Sequence, residues 1–286
     1  MSRLQKEILK VVDSALIEDG ALFDKTTDLI NQKSKIVGFN VIAKEDIIFC
    51  GEDIISVIFK LMQKKAKFKN SKIDFKVNFK DGQLVKSRQV IASGSAEASL
   101  ILACERVLLN LVQHLSGIST ITNQFVKTLN NHKIKILDTR KTIPNLRYLQ
   151  KYGVTKGGGN NHRFNLSDMI MIKDNHIALA GDIGKAINSC KKNSKLKIEV
   201  ECENVQQVKD AVIHHPDVIM LDNMNINEIK LCTKIIRNFS PKIKIEVSGG
   251  INLKNIKDYS NLDIDFISIG YLTHSVIASD ISLEIL

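Results

Sequence analysis

The chain has no tryptophan, three prolines and 5% aromatic residues, so its core must rely on Ile, Leu and Val. Its five cysteines, Cys50, Cys104, Cys190, Cys202 and Cys232, are scattered, odd in number and form no CxxC pair. That argues against a disulfide framework or a structural zinc site and suits a reducing compartment. No uninterrupted apolar run approaches the roughly 18 residues needed to span a bilayer. Lys10, Asp13, Glu18 and Asp19 interrupt the first apolar stretch, which argues against a secretory signal and for a cytoplasmic protein. No GxGxxG follows a first strand and no GxxxxGKS or GxxxxGKT occurs, so dinucleotide and P-loop readings lose their main support.

What is present is positive charge. With 41 Lys and Arg against 31 Asp and Glu, the formal charge is +10. Such a charge fits a nucleic-acid binder, an anionic small-molecule site or simple lysine drift. The Lys-rich segment 60–80 tests the first. There Ile73, Phe75, Val77 and Phe79 alternate with Asp74, Lys76, Asn78 and Lys80, the period of a half-buried strand. Those lysines fall on a wet face, and no helix-turn-helix, RNP or zinc-finger pattern accompanies them.

At 286 residues the chain accommodates a barrel or a large domain plus a smaller one. Up to about residue 116 it reads as an α+β module. An N-terminal helix leads to strands over 36–42 and 73–79 with a helix over 54–65 between them, and Asp81-Gly82 turns the chain into a strand over 84–92. A helix over 97–115 follows, with Arg106 on its polar face, either exposed or presented to a partner subunit. Beyond it, short strands over 134–137, 169–172, 197–200, 218–221, 244–247 and 266–269 alternate with helices over 121–130, 183–191, 205–214, 226–239 and 253–259. A seventh strand is expected near 152–155. Short buried strands separated by helices indicate a parallel sheet, and this number favours a closed or nearly closed barrel.

The residues at the strand ends carry the chemistry, because β/α barrels build their sites at that rim. In order they are Asp138-Thr139-Arg140-Lys141, Lys173-Asp174-Asn175-His176, Glu201, Asp222-Asn223, Ser248-Gly249-Gly250 and Gly270. Arg140 and Arg163 offer planar forks for carboxylates. Lys141 and Lys173 are point charges suited to phosphates. Glu201 and Asp222 match ribose hydroxyls or a magnesium ion, which takes one or two carboxylates plus substrate phosphates. Ser248-Gly249-Gly250 and Gly270 let backbone N–H groups approach a phosphate. The run Gly157-Gly158-Gly159, followed by His162-Arg163, reads as a ligand-facing loop. His274 follows the last strand and is a candidate for the rim. His114, His132, His214 and His215 read as structural or exposed. Cations converging on one cavity would repel one another, so a comparably charged ligand is implied.

These residues resemble the quinolinate phosphoribosyltransferase family. The likeness runs through Glu105-Arg106-Val107, Leu115-Ser116-Gly117, Asp138-Thr139-Arg140-Lys141-Thr142 with Pro144, Lys151-Tyr152, Asn161-His162-Arg163, Lys173-Asp174-Asn175-His176, Glu199-Val200-Glu201, Leu221-Asp222-Asn223 and Ser248-Gly249-Gly250-Ile251. It implies an α/β fold: an N-terminal α/β sandwich-like domain over 1–116, then an incomplete, open α/β barrel over 117–274, with the tail 275–286 free to pack back on the first. It implies a Mg2+-dependent decarboxylating phosphoribosyltransferase of NAD biosynthesis. Quinolinate and phosphoribosyl pyrophosphate would become nicotinate mononucleotide, pyrophosphate and carbon dioxide. It also implies a homodimer with shared sites, or a higher homo-oligomer, and no nucleic-acid or membrane partner. Arg106 would cross to the neighbouring site, while Arg140, His162 and Arg163 grip the pyridine carboxylates. Lys141, Lys173, Glu201, Asp222 and the Ser248-Gly249-Gly250 turn would hold phosphoribosyl pyrophosphate and metal, Thr139, Gly270 and His274 would join the substrate-binding set, and the catalytic weight would fall on Lys141, Lys173, Glu201 and Asp222. Asn145 stands where glycine commonly follows the proline, which puts that turn's conformation in question. The rivals are a nicotinate-type enzyme, a paralogue tied to molybdenum transport, a barrel lyase with Lys173 as Schiff-base amine, and a nucleic-acid binder.

Overall fold

The structure is a computed structural model that describes residues 2–30 and 35–286. In chain order the first elements are α1 (Arg3–Glu18), α2 (Lys25–Ile30), β1 (Ile36–Ala43), β2 (Ile47–Ile48), α3 (Glu52–Met62), β3 (Ile73–Val77), β4 (Leu84–Val85), β5 (Val90–Glu97) and α4 (Ala98–Leu129). Then come β6 (Lys135–Leu137), α5 (Arg147–Lys156), β7 (Ile170–Ile172), α6 (Asp174–Ala180), α7 (Ile183–Asn193), β8 (Ile198–Cys202), α8 (Val205–Val212), β9 (Val218–Asp222), α9 (Ile226–Phe239), β10 (Lys244–Ser248), β11 (Phe266–Ser268), α10 (Tyr271–His274) and β12 (Ile281–Ile285). The chain divides into two compact units: residues 1–123, 142–158 and 275–286, and residues 124–141 and 159–274.

The first unit holds an antiparallel sheet ordered β12-β1-β5-β3. α1 begins with a reciprocal cap, in which Ser2 Oγ accepts from Gln5 N at 3.2 Å and Gln5 Oε1 accepts from Ser2 N at 3.1 Å. Aromatic rings fix α3 to the sheet, Phe59 lying 5.6 Å from Phe39 and 5.1 Å from Phe75. β3 alternates half-buried Ile73, Phe75 and Val77 with exposed Asp74 and Lys76, so its lysine face is solvated as expected. The single strand expected over 84–92 is instead two. β4 leaves the main sheet to pair with β2, and only β5 joins β1 and β3. Asp81 explains the detour. Its Oδ1 accepts from Gly51 N at 2.6 Å and Glu52 N at 2.9 Å, capping α3, while Tyr152 donates to Oδ2 at 2.7 Å.

The helices expected over 97–115 and 121–130 are one continuous α4. By length and hydropathy it passes for a membrane span, yet 56% of that stretch is buried inside the protein, as in a core helix. Ser116, Ser119 and Thr122 keep its backbone close to neighbours. The expected seventh strand near 152–155 is helix α5, with Leu149, Gly153 and Val154 on its buried face. A Cβ on Gly157 would collide with the α4 carbonyl of Ser119 and with Thr122, so this glycine serves close helix packing. Gly157 and Gly158 thus end a helix, which revises the reading of the glycine run as a ligand-facing loop. Asn145 sits at φ 65, a left-handed conformation that asparagine tolerates in place of glycine.

The second unit is a six-stranded parallel sheet ordered β6-β11-β10-β9-β8-β7. All six expected strands are present. β6 and β7 are not paired, so the barrel is open rather than closed, and a single parallel bridge from Leu137 to Asn160 extends the β6 edge. The helix expected over 253–259 is only a 3₁₀ turn, Ile256–Tyr259, and α6 arises directly after Lys173. Four of the five cysteines are buried and all are free, consistent with thiols acting as small apolar residues.

Candidate active site

Residues two apart on a strand share a face, so Glu199 with Glu201, Met220 with Asp222, and Glu246 with Ser248 point the same way. They meet side chains from the loops after β6 and β7 and from the segment between α5 and β7 around a cavity of about 320 Å³ at the C-terminal ends of the parallel strands. Thr139, Arg140, Lys141, His162, Arg163 and Lys173 line it, and so do Glu201, Asp222 and Ser248. Nine of the expected site residues are therefore gathered in one place.

Local chemistry explains their placement. Thr139 Oγ1 accepts from Lys141 N at 3.0 Å, and Lys141 C=O accepts from Thr273 Oγ1 at 2.7 Å, fixing the loop after β6. Gly270 sits beside them: a Cβ there would lie 3.0 Å from the His274 ring and 3.1 Å from Lys141 Cδ. Gly270 and His274 thus border Lys141 without lining the cavity, and His274 is exposed. Gly249 and Gly250 form the turn after Ser248, at φ 92 and 66. A Cβ on Gly249 would drive into the Asn223 side-chain oxygen, so only glycine lets this turn close on β9. Asn223 N donates to Ser248 C=O at 3.0 Å, and Asn223 Nδ2 donates to Asp222 Oδ2 at 2.7 Å, holding the carboxylate at the rim. Arg106 lies exposed on α4, in the other unit.

The cavity wall is rich in cations. Lys173 pairs with Glu201, the two side chains 40% and 12% exposed. Arg163 Nη1 donates to Met169 C=O at 3.1 Å. Burial, and then the neighbouring Arg140 guanidinium, lower the Arg163 proton affinity from its ordinary value, while Glu199 partly restores it. The two half-buried guanidiniums thus disfavour one another's charge, and nearby carboxylates counter that.

His162 is 9% exposed and held at three points. Its N–H donates to Asp138 Oδ1 at 2.9 Å, and its Nδ1 accepts from Arg163 N at 2.7 Å. Its Nε2 faces Glu199 Oε2 at 3.1 Å and Glu246 Oε1 at 3.5 Å, aligned with neither. Burial opposes protonation of this imidazole, but Glu199 and Glu246 outweigh it and push the pKa up to about 10. Burial and the Glu246 charge also raise Glu199. Both shifts favour a hydrogen between the ring and the carboxylates, and the main chain decides which ring nitrogen carries it. A hydrogen on Nδ1 would meet the Arg163 N–H head-on, so the ring hydrogen of His162 sits on Nε2.

Sequence reasoning did not give Met171, Met220 and Ser268 a place in the wall, nor Glu199 and Glu246 a place beneath it. A signal existed in the repeated Ile-Glu-Val of Ile198-Glu199-Val200 and Ile245-Glu246-Val247, which buries an acid mid-strand. Of the histidines outside the cavity, His114 Nε2 lies 2.9 Å from Gln150 Nε2, and burial lowers its proton affinity, so it accepts from the amide. His132 is exposed, and His214 and His215 lie in a turn.

Comparison with known proteins gives one answer. The C-terminal domain of quinolinate phosphoribosyl transferase matches residues 118–284, and its N-terminal domain matches residues 24–116. A probable carboxylating nicotinate-nucleotide pyrophosphorylase of Bacillus subtilis is 39% identical over 290 residues, covering 100% of this chain and 95% of that protein. Its counterpart in Methanocaldococcus jannaschii is 41% identical over 290 residues, covering 99% and 98%. The crystal structure of nicotinate-nucleotide pyrophosphorylase from Ehrlichia chaffeensis superposes with a TM-score of 0.90 at 38% identity, covering 100% of this chain and 99% of that one.

Proposed function

The chain belongs to the quinolinate phosphoribosyltransferase family, the carboxylating nicotinate-nucleotide pyrophosphorylases of NAD biosynthesis, and from that premise we propose how its residues divide the reaction. The substrates are quinolinate and phosphoribosyl pyrophosphate, and the chemistry belongs to the barrel, 117–274. Arg140 and Arg163, with His162 in the wall, receive the two pyridine carboxylates. Lys141 and Lys173 face the pyrophosphate and the Ser248-Gly249-Gly250 turn the phosphate, with Thr139, Gly270 and His274 shaping that side. Glu201 and Asp222 hold the ribose hydroxyls and tolerate positive charge developing at the anomeric carbon.

The ring nitrogen attacks that carbon as pyrophosphate leaves, which forms a pyridinium. The C2–carboxylate bond then breaks, its electron pair drawn toward the cationic nitrogen, and a proton takes the place of carbon dioxide. No covalent nucleophile is needed. Glu201 and Asp222 are hard oxygen donors on adjacent strands at one cavity wall, a donor set that suits Mg2+. When bound with the substrate phosphates, the ion would neutralise charge on the leaving pyrophosphate. Arg106, exposed on α4, is assigned to the site of a second copy in a homodimer. The free cysteines agree with a cytoplasmic setting.

The observation that carries this reading is the gathering of Arg140 and Arg163 with the Lys173–Glu201 ion pair in the lining of one cavity. A monocarboxylate needs fewer cations. A Schiff-base lysine would want an apolar pocket rather than a carboxylate partner. The test is to supply the purified protein with Mg2+ and phosphoribosyl pyrophosphate, and with either quinolinate or nicotinate. Nicotinate mononucleotide should form from quinolinate with equimolar carbon dioxide; product from nicotinate alone would overturn the reading. Mixing inactive Arg106→Ala and Lys173→Ala protomers should restore part of the activity, and verified mixed dimers without rescue would refute the shared site.

A further inference from the structure

Two carboxylates lie almost wholly buried beneath the cavity, and none of the roles above uses them. Glu199 is 0% exposed and Glu246 1% exposed, and they reach His162 from strands on either side of β9. Both Glu199 oxygens, Glu246 Oε1 and Ser268 Oγ are buried without an aligned hydrogen bond among the described residues. Burying acids this way is costly, and a fold of this kind would pack more simply with apolar residues at both positions.

Two explanations fit the cluster. His162 Nε2, Glu199 and Glu246 present ligand atoms within 4.8 Å of one another, close enough to hold a metal ion. A metal, however, needs the lone pair on Nε2. Arg163 N donates to Nδ1 at 2.7 Å, which makes Nδ1 the acceptor and leaves the hydrogen on Nε2. A metal on Nε2 would force a hydrogen onto Nδ1 against the Arg163 N–H, so a ring hydrogen directed toward the carboxylates fits the cluster better.

We propose that Glu199 and Glu246 are positioning residues for dicarboxylate recognition, acting through His162 on Arg163. Their oxygens lie 3.1 and 3.5 Å from Nε2 and attract its hydrogen, which favours the tautomer whose other nitrogen accepts from the Arg163 main chain. The ring is thus a strut between β8 and β10 on one side and the loop bearing Arg163 on the other. Glu199 has a second effect, since its charge offsets the repulsion between Arg140 and Arg163 before a ligand arrives. The proposal rests on the reading that Arg163 grips quinolinate.

The test separates the two substrates. In the full-length enzyme, Glu246→Ala should raise the KM for quinolinate about 10- to 100-fold, the usual cost of removing a group that orients a binding side chain. The KM for phosphoribosyl pyrophosphate and kcat should change less than about threefold. Glu246→Gln, which keeps an acceptor oxygen and the shape, should recover most of the loss. Glu199→Gln should show a larger quinolinate effect than Glu246→Gln, because it also removes the charge facing Arg163. Where the alanine variant does not fold, the glutamine variants carry the comparison.

Nitrogen-15 NMR of His162 in the unaltered enzyme tests the strut without any activity. A protonated Nε2 with an unprotonated Nδ1 is expected. A hydrogen on Nδ1, loss of the Nε2 hydrogen on adding zinc, or equal KM rises for both substrates would overturn the proposal. Arg163→Ala distinguishes the failures. If it leaves quinolinate KM unchanged, the carboxylate clamp itself is wrong; if it raises KM and the glutamate variants do not, only the strut is wrong.

Discussion

At the N-terminal end of the parallel sheet, Asp265 accepts from Lys244 Nζ at 2.7 Å, from Arg237 Nη2 at 2.9 Å and from Ile245 N at 2.9 Å. Asp217 at the same end accepts from Ile198 N at 2.8 Å. At the C-terminal end, Arg140 and Arg163 crowd one another, Lys141 is exposed at the rim, and two buried glutamates press on one imidazole. The same six strands carry both ends. One end ties its charges into contacts that hold strands together; the other gathers Arg140, Arg163, Lys141 and the Lys173–Glu201 pair around one cavity. In barrels of this type the first arrangement secures the fold and the second performs chemistry.

Substitutions can break or sharpen that contrast. The largest effect is expected from Arg163→Ala, which should lower kcat/KM for quinolinate about a thousandfold by removing one partner of a charged, desolvated pair. Its melting temperature should not fall, because the repulsion from Arg140 goes with it. A clear loss of stability in thermal unfolding would erase the contrast.

Next is Gly249→Ala. The added methyl meets Asn223 at a backbone φ of 92, so the Ser248 turn must open. We expect about a 30- to 100-fold loss in kcat/KM, with the KM for phosphoribosyl pyrophosphate rising, since ångström-scale misplacement costs that much. Gly250→Ala has the strained φ of 66 but nothing within 4 Å, and should cost clearly less.

Asp265→Asn probes the other end. It should destabilise the protein by about 1–2 kcal/mol, a figure reduced for partial exposure, and leave kcat/KM unchanged. Burial alone would raise the Asp265 pKa, but Lys244, Arg237 and the Ile245 N–H together lower it. A depressed carboxylate contributes stability above its unfolded pKa and loses it as pH falls through the folded one. Denaturant titrations of wild type and Asp265→Asn should therefore diverge at neutral pH and converge in acid. Convergence on the alkaline side would contradict the assignment.

Much of the cavity was legible in the residues, because charged groups after short β-branched runs have few structural uses. Arg140, Lys173, Glu201 and Asp222 all emerged this way. Glu199 and Glu246 received no role because they precede the strand ends and look like ordinary mid-strand polar residues. Only their burial against His162 distinguishes them. Misread elements have local causes. The expected gap between the helices over 97–115 and 121–130 is closed by packing: Gly117 lies within it, and a Cβ there would strike the Ile277 carbonyl. Residues 152–155 look strand-like in isolation, yet Leu149, Gly153 and Val154 keep helical spacing. The β4 detour depends on Asp81 capping a helix thirty residues earlier in the chain, a pairing that periodicity does not encode.

The strand β12 has a consequence for the order of synthesis. It pairs with β1 from Phe39↔Ile285 to Ala43↔Ile281, yet the entire parallel sheet is translated between them. While the barrel strands emerge, β1 has β5 on one side and open main-chain groups on the other. Such an edge attracts stray strands, and closing it late is a slow, long-range step. A nascent chain stalled before residue 281 should be the aggregation-prone species, and release of the last strand should be what makes the antiparallel sheet safe.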